Sequence, residues 1–346
     1  MQRLACRLTA LMQLLGDARR SAVEQAVRLA VRAFLVAYVR VMALLVAPLK
    51  PHEIVHADVH GHEHGHSDGA APALPAPVPA AVDLRPAVSF GGCGMLYPYQ
   101  LGVCEYIVDT FDTGRVRAAG HSAGFAAALC VAIGLQTDLH WRVLVAAQAR
   151  WATRLLGFVG DSEEAWMAPY VQALTHHEAS ICSAASEGRL VLGHTRVRAR
   201  ARGKWPPLRA GHAVTCRFHS LRAFVHAVTV SQRCPPFYRA PGWIHGAWGL
   251  DGAFSAQFTE PPGIDGSRLV TVSPTNPLAD IAPAMPFPPH WFATLPDVER
   301  WSRLRAQGYA DAAAKHDLFL ARGFVLRAPG AVPAECDAES QDGVAR

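Results

Sequence analysis

One pentapeptide constrains this chain more than any other feature: Gly120-His121-Ser122-Ala123-Gly124. It lies between the apolar run Val116 to Ala119 and the apolar stretch Phe125 to Leu135. That order predicts a strand, a tight turn and a helix. A serine at such a turn stands clear of the backbone, because bulk at either flanking glycine collides with the adjoining strand and helix. The helix that follows puts its N-terminus beneath the serine, where developing negative charge is favoured. Ser122 is therefore the candidate nucleophile, with Gly120 and Gly124 as the residues that make its turn possible.

A second glycine turn lies a short way upstream. Ala87-Val88-Ser89-Phe90 reads as a strand, Gly91-Gly92-Cys93-Gly94 as a turn, and Tyr99 to about Thr110 as a helix. Backbone N–H groups exposed in such a turn suit an oxyanion or a phosphate. The dinucleotide fingerprint needs a further glycine where Tyr97 stands, and no Gly-Lys-Ser/Thr follows. The oxyanion role for Gly92, Cys93 and Gly94 is the better reading. The third element is Asp251-Gly252-Ala253, reached through the strand-like Trp248-Gly249-Leu250. A carboxylate at a strand end can take the serine proton as general base.

Strand, glycine turn and helix, twice over, predict an α/β domain with a parallel sheet. Residues 138–187 read as mainly helical. Strands are expected over 189–200 and 213–218, around a Lys204-Trp205-Pro206-Pro207 turn, and a helix from about Ser220 to Gln232. Arg196, Arg198, Arg200 and Arg202 alternate, so a strand would line them on one face. A charged, solvated edge is preferred there over a headgroup-binding face.

The 346 residues are 51% apolar, enough for one large core or two ordinary ones. A net charge of +5 is mild, and no nucleic-acid motif accompanies it. The eight cysteines are scattered, which reads as reduced thiols, and none has zinc-ligand spacing; no metal is expected. Four regions follow. Residues 1–50 form an apolar helical segment, with Ala33 to Leu49 interrupted by Arg40. It fits a spanning or interfacial membrane helix, preferred here, a helix on the protein's own surface, or a targeting peptide. Residues 51–84 are a His-rich and Ala/Pro-rich linker, 85–325 the catalytic domain and 326–346 a tail.

The three motifs together resemble the patatin-like phospholipase family, in its triacylglycerol-lipase branch. Ser89-Phe90-x-Gly92-Cys93-Gly94 is similar to the oxyanion motif and Tyr99-x-x-Gly102-Val103 to the helix after it. Gly120 to Gly124 match the elbow, and Asp251-Gly252-Ala253 the base motif. Thr195-Arg196-Val197, Phe218-His219-Ser220, Thr271-Val272-Ser273-Pro274 and Gly308-Tyr309-x-Asp311-Ala312 add weaker similarities in the same order. The resemblance implies a three-layer fold with a mainly parallel sheet flanked by helices. It also implies hydrolysis of acylglycerol or phospholipid esters by a Ser122–Asp251 dyad without histidine. No cofactor is implied. The substrate it implies is a lipid ester at an intracellular membrane or lipid droplet, with room for a protein activator.

The sequence departs from the family at Tyr97, where its pattern has glycine, and at Met95 and Leu96, where the phospholipase branch has a basic residue. Two rivals stand beside this reading. One is an α/β-hydrolase triad using Ser122, Asp251 and His290 or His316; only 28 residues separate Gly94 from Ser122, which is short for that fold. The other is a catalytically weak lipid-binding scaffold, favoured by Tyr97. His121 is expected to point away from the nucleophile, and His245 to be structural.

Overall fold

The computed structural model describes residues 83–152, 166–199, 208–234, 238, 241–244, 246–288, 291 and 297–328. The N-terminal segment, most of the linker, His245, His290 and most of the tail lie outside the described residues. The described chain is α/β, a mixed seven-stranded sheet flanked by helices.

Strand β1 (Ala87–Phe90) leads through the glycine turn to helix α1 (Tyr97–Thr110). Strand β2 (Arg117–Gly120) leads through the elbow to helix α2 (Gly124–Ile133). Nine of the ten α2 residues, Gly124 to Ala132, are buried, as befits a helix that is apolar all round. Helices α3 (Asp138–Ala152), α4 (Ala168–Leu174) and α5 (Glu178–Ser186) lie in the interval expected to be helical, of which 153–165 is outside the described residues. Strands β3 (Leu190–Ala199) and β4 (Leu208–Thr215) form a long hairpin, followed by helix α6 (Leu221–Ser231). Short strands β5 (Gly242–Ile244) and β6 (Ala247–Leu250) make a second hairpin ending at Asp251. Strand β7 (Leu269–Val272) and helices α7 (Val298–Ala313) and α8 (His316–Ala321) close the domain.

The expected mainly parallel sheet is only half parallel. β1 pairs in parallel with β2 and β7, and β2 in parallel with β3; β3–β4, β3–β6 and β5–β6 are antiparallel. The mainly parallel sheet was what the resemblance implied; the β3–β4 hairpin was expected, but its second strand begins at Leu208 and not at 213, because Leu208 to Gly211 follows a proline pair and holds a glycine. Tertiary pairing overrides that local signal.

The sheet forks at the elbow. β4 runs along one edge of β3 over the whole ladder from Leu192 to Ala199. The opposite edge is shared: β2 pairs with it at Leu190 to Leu192, and β6 at Thr195 to Val197. β2 runs parallel to β3 and β6 against it, so their C-terminal ends meet head-on beside Gly193 and His194. That topology alone brings the residues after Gly120 to the residue after Leu250.

At the domain margins, Asp83 bridges Ile264 and forms salt bridges with Arg85 and Arg117, so it belongs with the sheet. Leu326 bridges Phe111 at the end of α1.

Candidate active site

Ser122 has a φ of +54°, the one positive value at a non-glycine among the described residues. That left-handed backbone is strained for serine and marks the elbow. The flanking glycines are sterically required. A Cβ at Gly120 would lie 2.6 Å from the Gly124 carbonyl oxygen; one at Gly124 would lie 2.5 Å from that of Phe90. Because Phe90 is in register with Gly120, the glycine turn and the elbow leave adjacent strands at one level.

Asp251 is 3% exposed. The Ala253 N–H donates to Oδ1 of the Asp251 carboxylate at 2.9 Å, and the Ser122 side chain is a neighbour that acts on it. Burial pushes the Asp251 carboxyl up to about 6, against the lowering by Ser122 and the Ala253 N–H. The group therefore titrates close to neutrality, as a general base should.

Two parts of the clamp went unseen in the sequence. The end of α6 and the residues just after it hold both partners: Ser122 N–H donates to the Ser231 Oγ at 3.1 Å and lies 3.2 Å from its carbonyl oxygen, and Asp251 N–H donates to the Arg233 carbonyl at 3.2 Å. The Ser231 hydroxyl in turn donates to the Gly193 carbonyl at 2.6 Å. From β3, the Thr195 hydroxyl donates to the Asp251 carbonyl at 2.7 Å. No local pattern marks a serine at a helix end as a partner for a residue 109 positions away.

His121 points away from Ser122, into the protein, where it is fully buried. Its Nε2 accepts the Gly92 N–H at 3.0 Å, so Nδ1 carries the proton and donates to Thr259 Oγ1, also at 3.0 Å. Burial, with His212 nearby, depresses its pKa to about 3, and the ring stays neutral. A consequence for the expected oxyanion trio is that the Gly92 N–H is already taken. The Cys93 and Gly94 amides donate to no group among the described residues. Gly92 serves by its lack of a side chain, since a Cβ there would lie 3.1 Å from that of Ala253. Gly252 is more tightly confined, with 2.5 Å to the His121 Cβ.

The Cys93 thiol donates to Gln100 Oε1 at 3.1 Å, and Gln100 Nε2 donates to the Gly91 carbonyl at 2.7 Å, stapling the turn to α1. Burial, then the Asp251 charge, pushes the Cys93 thiol up, so it remains protonated. Tyr97 does not fill the turn. Its ring is buried and its hydroxyl lies 2.8 Å from His140 Nδ1, with Tyr170 on the other ring nitrogen at 3.4 Å.

His316 is elsewhere. Its Nδ1 lies 2.6 Å from the Tyr106 hydroxyl, and its ring stacks on Phe111 at 5.6 Å. Among the described residues no histidine hydrogen-bonds Asp251 or Ser122. None of the described helices is long and apolar enough to cross a membrane, and no group of three metal-binding side chains occurs among the described residues. Neither the protein-family models nor the curated proteins compared with the chain match it.

Proposed function

We propose that this protein is a serine carboxylic ester hydrolase working through a dyad, and more narrowly a lipid acyl hydrolase of the patatin-like type, with that family's three-layer fold. One observation carries the reading: a serine in strained left-handed backbone, its side chain neighbouring a buried carboxylate whose pKa is pushed up to about 6. Strain of this kind persists only where the surroundings enforce it, and here the enforcement comes from glycines at 120 and 124 and from Ser231.

The chemistry follows in two halves. Asp251 takes the Ser122 proton as Oγ attacks the acyl carbonyl, and the Cys93 and Gly94 amides receive the oxyanion. The alcohol leaves with the proton, giving an acyl-enzyme. Water, deprotonated by Asp251, then releases the fatty acid. His121 takes no part in proton transfer; it fixes the glycine turn. The lipid character of the substrate rests on the resemblance in motif order across 85–325 and on the apolar N-terminal segment.

A panel of acylglycerol, phospholipid and short-chain esters, run with wild type and Ser122→Ala, tests this. Hydrolysis lost in the variant, with a fluorophosphonate adduct on Ser122 of the wild type, is the expected result. An adduct on another serine, or unchanged turnover in Ser122→Ala, overturns it.

A further inference from the structure

Asp251 opens a short helical turn, Gly252–Phe254, that ends at Ser255. The turn folds back on itself: the Phe254 N–H donates to the Asp251 carbonyl at 3.2 Å, and the Ser255 N–H to the Gly252 carbonyl at 3.1 Å. Ser255 is buried. Its hydroxyl reaches two neighbouring strands, lying 2.7 Å from Thr195 Oγ1 and 3.0 Å from His212 Nδ1. Thr195 belongs to β3, and His212 stands directly opposite it on β4.

Directly opposed residues share a face of the sheet, and Leu250 of β6 is opposed to Thr195 on its other side. His212, Thr195 and the residue before Asp251 thus form one row across three strands. Thr195 has a single hydroxyl hydrogen, which goes to the Asp251 carbonyl at 2.7 Å. Thr195 then accepts from Ser255, and Ser255 accepts from His212 Nδ1. The Gly252 carbonyl, 3.3 Å from the Ser255 hydroxyl, is the poorer acceptor. A one-way chain results, from His212 through Ser255 and Thr195 to the main chain of Asp251.

This order fixes the ring, with the proton on Nδ1 and none on Nε2. Nε2 is shut off from solvent and has no hydrogen-bond partner among the described residues. A buried acceptor without a partner costs stability, so the ring is not held there by that atom. The ring edge packs against Gly193, where a Cβ would lie 2.8 Å from Cε1. An apolar side chain would fill that space without the cost. What an imidazole adds at 212 is the Nδ1 donor. Burial depresses the His212 pKa to about 4, so the ring is neutral wherever Asp251 is ionised.

We infer that His212 is a positioning residue for Asp251: through Ser255 and Thr195 it fixes the turn that holds the carboxylate beside Ser122. The inference rests on the dyad reading and adds a residue that is hydrogen-bonded to neither member of the dyad. A loosened turn would let water reach the carboxylate. Because burial is what raises the Asp251 pKa, that pKa would then fall. Simple filling of space predicts no such fall.

The test uses the full chain and a soluble short-chain ester, with kcat, KM and the pH dependence of kcat/KM measured for each variant. His212→Leu keeps the bulk and removes the Nδ1 donor, whereas His212→Asn keeps an N–H donor close to the Nδ1 position. His212→Leu should lower kcat at least about tenfold, change KM less than about twofold and move the acid limb down from about 6. His212→Asn should restore most of both. Ser255→Ala breaks the same chain and should reproduce the His212→Leu profile, and the double variant should be no slower than the slower single one. Equal loss in His212→Leu and His212→Asn overturns the inference, as does an acid limb that stays in place in His212→Leu and Ser255→Ala. Should His212→Leu fail to fold, Ser255→Ala with native circular dichroism decides alone. A wild type that hydrolyses no ester refutes the dyad itself, whereas an active wild type indifferent to both substitutions refutes only the role of His212.

Discussion

Strands β1 and β2 are parallel, four residues long and wholly buried, whereas the hairpins formed by β3 with β4 and by β5 with β6 are antiparallel and carry exposed arginine and tryptophan. The inner part supplies Ser122 and the glycine turn; the outer part supplies Asp251. Each follows the rules of its kind. A buried parallel sheet presents its loops at one end, where backbone amides and helix N-termini gather. An antiparallel wing can bend a strand back against the sheet, which lets β6 aim a carboxylate at the end of β2. The proposed dyad needs both, and neither part holds a complete site.

The comparison breaks if one part suffices. Ser122→Ala and Asp251→Asn should each lower kcat for ester hydrolysis by at least about 10³-fold, in a protein of unchanged circular dichroism. His316→Gln and His121→Gln should cost less than about tenfold. If His316→Gln silences a folded enzyme, the division of labour described above is wrong and a histidine is the base.

The join between the parts is the next target. Ser231→Ala removes the hydroxyl that bridges Gly193 of β3 to the Ser122 amide. Turnover should fall roughly tenfold, and urea unfolding should show a loss of about 1–2 kcal/mol, typical for a buried hydrogen-bond pair. Substrate KM should change little, because the residue is a positioning one.

Titration sharpens the comparison further. The Asp251 carboxyl, raised from 3.8 to about 6, must be ionised to act, so kcat/KM should rise with pH through about 6 and level above it. The same shift opposes folding. Below pH 4 the group is protonated in both states and costs nothing; the cost grows from pH 4 to 6 and is full above 6. Asp251→Asn should therefore be more stable than wild type at pH 8, by up to about 3 kcal/mol, with no gain at pH 4. Equal stability at both values would remove the buried-base description. Tyr97→Phe should have the smallest effect, a loss of about 1 kcal/mol or less with near-normal turnover, since its hydroxyl faces His140 and not the site.

The parallel half was legible in the sequence because its signals are local. Glycines on either side of Ser122, and the glycine turn after Phe90, reflect collisions within a few residues or between adjacent strands. Of the antiparallel half, the strand over 189–200, its return strand after the Lys204–Pro207 turn and the strand reaching Asp251 were legible, while β5 and the pairing of β6 with β3 were not. The start of β4, the fork along β3 and the clamp from α6 depend on partners far along the chain, which no window of sequence contains. His121 lies between these cases. Its direction away from the nucleophile follows from the elbow, but its hold on Gly92 depends on packing. Two motifs that carried only resemblance acquire a physical role. Gly102 and Gly308 lie where α1 and α7 touch backbone to backbone, and Asp311 accepts the Tyr99 hydroxyl at 2.8 Å.

That helix contact also orders events during synthesis. Tyr99 and Asp311 are 212 residues apart, so α1 leaves the ribosome roughly 10 to 40 s before its partner exists. Eleven of its fourteen residues are buried in the finished protein, including both glycine-turn neighbours Tyr97 and Tyr99. For that interval the nascent chain displays an apolar helix beside an unsupported glycine turn. The packing around the glycine turn stays incomplete until translation is nearly done. The chain is also most vulnerable to aggregation just before α7 emerges, so its yield should depend on holding chaperones more than its final stability suggests.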